Sequence, residues 1–195
     1  GQNVKSKRQP FVPFVREAIH ELLDIDGRLS LTLKTLIKKP GLASYEYDQG
    51  MRAKYTPPLR LYLVISVIFF LLFSSLQQAF TGQEGYSASS IDLYSKAMFV
   101  LFPLFALYVK ALYPSSYFVS NIVFSLHIHS VGYLVLIIIG PLEILERQHI
   151  GFLALQAPLL LYLVWYFLKA FKTMYLASWP ITVVKSFVIY LVYMA

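Results

Sequence analysis

The chain has no cysteine, so disulfides, thiolate chemistry and Cys-ligated zinc are excluded within it. Charge is scarce too: 14% of the 195 residues are Asp, Glu, Lys or Arg, against about 25% in soluble domains. Acidic residues are the scarcer sign, 10 against 17 basic, for a net charge of +7. No carboxylate falls inside any of the long apolar runs, which argues against a pump built on a buried carboxylate relay. There is no P-loop, dinucleotide fingerprint, nucleophile elbow or His-Glu-x-x-His, and no nucleophile–base pair that spacing alone supports. Residues 1–10 lack the apolar stretch of a cleavable signal. Because the sequence begins at Gly rather than Met, it reads as a fragment of a longer protein.

What is abundant is apolar and aromatic: 57% of residues are hydrophobic, with 15 Tyr and 15 Phe. A run of about 20 apolar residues covers the roughly 30 Å of a bilayer's hydrocarbon. Such runs predict spans at about 59–80, 97–113, 117–140, 151–170 and 179–195. Pro57-Pro58 precedes the first, where missing N–H groups cost little. Pro103 breaks the short second run, Gly140-Pro141 ends the third, Pro158 lies in the fourth and Pro180 opens the fifth. The intervening polar segments, 81–96 and 142–150, read as loops. No internal repeat is evident, and five spans do not divide evenly, which disfavours a repeat-built transporter.

The N-terminal quarter differs. Residues 1–60 carry 11 of the 17 Lys and Arg. Phe11, Val15, Ile19 and Leu22 share one face of a predicted amphipathic helix over 11–26. A second short helix over 28–39 carries Leu29, Leu33, Leu36 and Ile37 as its stripe and stops at Pro40-Gly41. Both are too short and too charged to cross, and the second suits the headgroup region. Residues 42–58 read as a connector. Lys34, Lys38, Lys39, Arg52 and Lys54 form a basic segment facing lipid or a partner. Without a nucleic-acid-binding motif, the charge points to anionic membrane lipids rather than nucleic acid.

The basic residues set the orientation. A cytoplasmic N-terminus puts residues 1–58, Lys110, Lys169 and Lys172 inside, and Glu84, Asp92, Lys96, Glu143, Glu146 and Arg147 outside. Trp165, Trp179, Tyr62, Tyr113 and Tyr117 then fall at the inner interface.

Polar groups within a span are costly and therefore informative. The third run holds Asn121, Ser125, His127, His129 and Ser130, with both histidines some 15–18 Å deep at about 1.5 Å per residue. At about 100° per residue, Asn121, Ser125, His129 and Gly132 share a face, and Ser120 and His127 share another. The imidazoles diverge by about 160°, so they cannot hold one metal ion in a regular helix. Hydrogen bonding between helices is the plainer role; haem or metal ligation by one histidine, proton transfer or a quinone contact are the functional alternatives. Lys185 lies about 9 Å into the fifth run and can snorkel. The groups Glu143, Glu146, Arg147, His149 and Glu17, His20, Glu21, Asp24, Asp26 read as solvated polar faces.

Three stretches resemble an uncharacterised family of bacterial multi-span membrane proteins, a domain of unknown function often preceded by a Cys-rich zinc ribbon. In residues 26–63 the resemblance rests on Thr35, Leu36, Pro40, Gly41, Gly50, Arg52, Tyr55 and Pro58. In 117–136 it rests on a tyrosine-led His-x-His span, and in 174–193 on Tyr175, Ser178, Thr182 and Lys185. The family often has Glu-His where this chain has Ser120-Asn121, and the ribbon is not in this sequence. The resemblance implies membrane location and architecture, and no activity.

The expectation is an all-α integral membrane helical bundle of about five transmembrane helices, preceded by two short amphipathic interfacial helices. Residues 1–58 form the basic segment and 59–195 the membrane domain. The function expected first is a non-enzymatic accessory or scaffold subunit of a larger complex in the bacterial inner membrane, with membrane lipids and other membrane subunits as partners. A channel or small-solute transporter with a polar path along the third span is the alternative, and a His-dependent metal or redox enzyme a further one. The sequence leaves the cofactor open.

Overall fold

The structure is a computed structural model that describes residues 27–81, 88–146 and 153–194. Over these residues the chain is all-α. It comprises α1 (Arg28–Lys38), α2 (Leu42–Asp48), a 3-10 turn (Arg52–Lys54), α3 (Pro58–Thr81), α4 (Ala88–Leu112), α5 (Phe118–Glu146), α6 (Leu153–Tyr175) and α7 (Trp179–Met194). The helix expected over 11–26, Glu84, and the pair Arg147 and His149 lie outside the described residues.

Three helices are long and apolar enough to cross a membrane, α3, α5 and α6. Shorter apolar helical stretches occupy Phe99–Leu112 and Trp179–Val192. Two loop expectations need correction. The segment expected to be a loop over 81–96 is helical from Ala88, so Asp92 and Lys96 belong to α4. Likewise α5 continues through Pro141 to Glu146, so Glu143 and Glu146 lie in its last turns. Hydropathy marks where a helix is apolar, not where its hydrogen bonding stops, and a helix prolonged past its apolar part escapes it. Proline inside an apolar helix is tolerated where neighbours satisfy the freed carbonyl.

α5 is the central post: α3, α4 and α6 all pack along it. Aromatic pairs fix the directions. Tyr62 of α3 meets His129 of α5 at 6.5 Å between ring centroids, and Phe73, three turns on, packs against Gly140, so α3 and α5 run the same way. Phe124 of α5 meets Phe171 and Tyr175 of α6 at 4.8 and 5.4 Å, while Phe105 of α4 meets His129 and Phe167. One end of the bundle therefore gathers the start of α3, the end of α4, the start of α5, the end of α6 and the start of α7.

That same end carries α1 and α2, and there the expected connector over 42–58 is corrected: it contains a helix and a 3-10 turn. α1 ends because Pro40 has no N–H to continue the ladder, and Gly41 adopts φ +80° to start α2. Gly41 is also where the chain touches α6. A Cβ there would stand 2.4 Å from the carbonyl oxygen of Ala170, a spacing only glycine allows. Thr32 ties the hairpin to the link just before α3: its hydroxyl donates to the Arg28 carbonyl at 2.7 Å and accepts from the Thr56 N–H at 2.9 Å. The buried side of α1 is Thr32, Thr35 and Leu36, and Ile37, expected in the stripe, is 46% exposed.

Candidate functional site

Ser120 and His127 lie seven residues apart on α5, on the face that receives α2. His127 Nδ1 is 2.7 Å from Ser44 Oγ, an interaction wholly buried between the two helices. Ser120 donates to Asp48, one turn further along α2. Thus α2 runs antiparallel against the first three turns of α5, and its residues Ala43 and Ser44 are sealed from solvent. His127 Nε2 and Asn121 Nδ2 are buried with no hydrogen-bond partner in the structure.

Asn121, Ser125 and His129 take different partners. Asn121 Oδ1 accepts from Ser116 Oγ and Tyr175 Oη, both at 2.9 Å, joining the α4–α5 connection to α6. Ser125 donates to the Phe102 carbonyl of α4 at 2.7 Å. His129 Nδ1 is 2.7 Å from the Ser125 carbonyl, which makes Nδ1 the protonated nitrogen, and its ring meets Phe105 and Tyr62 edge-on at 5.4 and 6.5 Å. Ser130 bonds back to the Leu126 carbonyl within α5. The structure places His127 towards α2 and His129 towards α3 and α4.

Lys185 stands apart from this group. Its Nζ donates to the Leu112 carbonyl at the end of α4 at 2.6 Å and sits 4.2 Å above the Tyr113 ring. Two other lysines, in the last turns of α4 and α6, brace the connections that follow: Lys110 bonds the carbonyls of Pro114 and Ser116, and Lys172 bonds that of Ala177. A cation in a helix's last turn also favours the helix dipole. Lys169 and Lys172 lie 5.9 and 5.7 Å from the Trp179 ring.

In the basic segment, Lys34, Lys38 and Lys39 are exposed along α1 and its end. Arg52 lies over the Tyr47 ring at 5.5 Å. Lys54 pairs with Glu46 at 2.5 Å, and Tyr55 donates to the same carboxylate oxygen. These two bonds hold the Glu46 carboxyl below its ordinary range. Two aromatic positions expected at an interface are core residues instead: Tyr62 is 1% and Tyr113 6% exposed. Tyr113 stacks on Tyr175 at 4.1 Å. Trp165, Trp179 and Tyr117 are exposed.

Among the described residues, no three His, Asp or Glu side chains converge as a metal site. The residues that sequence reasoning missed are Ser44 and Tyr162, and Tyr175 is singled out only through the family resemblance, without its partner Asn121. Tyr162 donates to the Ile37 carbonyl at 2.8 Å, pinning the end of α1 to α6. Nothing in a helical wheel signals a partner that is a backbone carbonyl 125 positions away.

The eight positions that carry the first family resemblance lie in this hairpin and its exit. Thr35, Leu36, Pro40, Gly41, Tyr55 and Pro58 are buried, and Gly50 turns the chain at φ +92°. Residues 26–70 match the family model described as a protein of unknown function, DUF3667. The match supports an uncharacterised family over the hairpin and the first part of α3, while the 117–136 and 174–193 stretches lie outside it. No curated protein and no solved structure matches the chain.

Proposed function

We propose that the chain is a non-enzymatic, multi-pass subunit of a larger inner-membrane assembly. In this reading α3–α7 cross or enter the bilayer, and the end bearing α1 and α2 faces the cytoplasm. One observation supports it above others: the polar side chains at that end join elements to one another. Ser44 with His127, Tyr175 with Asn121, Ser125 with Phe102, Tyr162 with Ile37 and Lys185 with Leu112 each link two separate elements. Such links fix a packing where apolar contact with lipid and with protein are nearly equivalent.

Charge supports the orientation. Lys34, Lys38, Lys39, Arg52, Lys54, Lys110, Lys169, Lys172 and Lys185 all lie at the α1–α2 end, matching the cytoplasmic bias of basic residues. Exposed Leu31 and Ile37 interleave with exposed Lys34 and Lys38 on α1, the mixture of a helix in an anionic headgroup layer.

The subunit role fits α7, which packs on the bundle through Thr182, Ser186 and Ile189 while Val183, Val184, Phe187 and Leu191 stay exposed. Cross-linking in intact membranes before extraction tests the proposal. The expected result is a discrete species well above the 22.4 kDa protomer that contains a second membrane polypeptide. A protomer that remains alone under reagents that trap known assemblies in the same membranes contradicts it.

A further inference from the structure

Between α4, α5, α6 and α7 lies a cavity of about 300 Å³. Its inner end is closed by Phe105, His129 and Phe167, and its outer part is bounded by Leu136 and Tyr190. Leu136 and Tyr190 are 39% and 54% exposed, which puts the mouth on the flank of the bundle. Gly132 forms part of the wall, and a Cβ there would meet nothing within 4 Å. Glycine in an apolar helix ordinarily lets another backbone approach; here it leaves space unfilled.

We propose that this cavity holds one acyl chain of a membrane phospholipid. Its walls are mainly aromatic and aliphatic, and His129 Nδ1 is already engaged by the Ser125 carbonyl. An apolar recess does not retain water, and leaving it empty forfeits dispersion contacts along the whole lining. The material at its mouth, for a bundle in lipid, is hydrocarbon. The size fits: a methylene takes about the 30 Å³ of a liquid water, so roughly ten chain carbons fill it. The depth fits as well, since α5 rises about 10 Å between His129 and Leu136. The chain enters past Leu136 and Tyr190, lies along Gly132, and ends against Phe105 and Phe167. It would make the α4–α7 contact continuous where protein alone leaves a gap.

The test uses the full chain reconstituted in phosphatidylcholine vesicles, with a fraction of the lipid carrying a diazirine at the acyl terminus. After illumination, adducts are mapped by peptide mass spectrometry. The proposal expects adducts at Phe105 and within 128–136 at several times the per-residue level on the lipid-facing residues Leu161 and Val164. Gly132→Phe, whose Cβ meets nothing within 4 Å and whose ring projects into the cavity, should lower the cavity adducts at least ten-fold and leave Leu161 and Val164 unchanged. If that variant does not fold, Leu136→Trp at the mouth should have the same selective effect. Labelling of 128–136 no stronger than at Leu161 in the parent protein overturns the proposal. So does equal labelling in a folded blocked variant, or cross-linking of those residues to another polypeptide in place of lipid.

Discussion

Ser44 Oγ and His127 Nδ1 lie 2.7 Å apart at a fully buried contact that joins a seven-residue helix from the basic N-terminal segment to the central post of the bundle. The segment is thereby part of the packed structure and not only a charged lead. Removing one partner leaves the other buried without a bond, at a cost of about 1–3 kcal/mol. Ser44→Ala and His127→Ala are each expected to lower thermal stability in detergent. The double variant should lose less than the sum of the two, since the pair is coupled. Strict additivity in a thermal-shift series would show that the contact does not form.

Gly41 and Gly132 make opposite predictions for one substitution. At Gly41, a methyl group meets the Ala170 carbonyl at 2.4 Å and the backbone is at φ +80°. Gly41→Ala should destabilise by more than about 2 kcal/mol, through strain and displacement of α2. At Gly132 nothing opposes the methyl, so Gly132→Ala should be neutral or gain up to about 1 kcal/mol of helix propensity. Unfolding midpoints of the two variants in the same detergent check both.

Lys185 bonds the last carbonyl of α4 and covers Tyr113. Lys185→Met keeps the stem but loses the charge-assisted bond, for an expected loss of about 1–2 kcal/mol. Trypsin accessibility after Lys110 reports on the same event, because fraying of the α4 end exposes it.

Glu46 links stability to pH. Its folded-state pKa is depressed below the ordinary value of 4.5 by the bonds from Lys54 and Tyr55. A depressed carboxylate contributes stability above its unfolded pKa and loses it as pH falls through the folded pKa. The parent protein should therefore exceed Glu46→Gln in stability at neutral pH, and the gap should close below pH 4.5 as the carboxylate becomes protonated. Melting curves from pH 7 to pH 3 measure the gap. A constant difference over that range would mean that the carboxylate is not held by these bonds.

Much of the helical layout is legible in the sequence. The apolar runs near 59–80, 117–140 and 151–170 are long enough to declare themselves, and Pro40-Gly41 marks the end of α1. α2 is not legible, because seven residues of mixed character, LASYEYD, hold too few turns for a periodic signal. The start of α4 is hidden because ASSIDLYSK is polar, and only continuation of the backbone ladder makes it helical. At the candidate site, a helical wheel separates His127 from His129 but names no partner for either. Ser44, the Phe102 carbonyl and the Leu112 carbonyl are brought in by the tertiary fold, and backbone carbonyls carry no side-chain signature. Tyr62 and Tyr113 go into the core because rings with an apolar body serve packing as well as an interface.

The docking of the N-terminal hairpin on α5 is the relationship on which the site depends, and the absence of cysteine makes it directly testable. Asp48→Cys with Ser120→Cys places the only two thiols at an exposed contact. Treated in membranes with a short bifunctional methanethiosulfonate, the double variant should form an intramolecular link at high yield, seen as a shifted band that reductant reverses. Neither single variant should give that band. Free thiols in the double variant after treatment, with both still reactive to maleimide, would contradict the docked hairpin and the site built upon it.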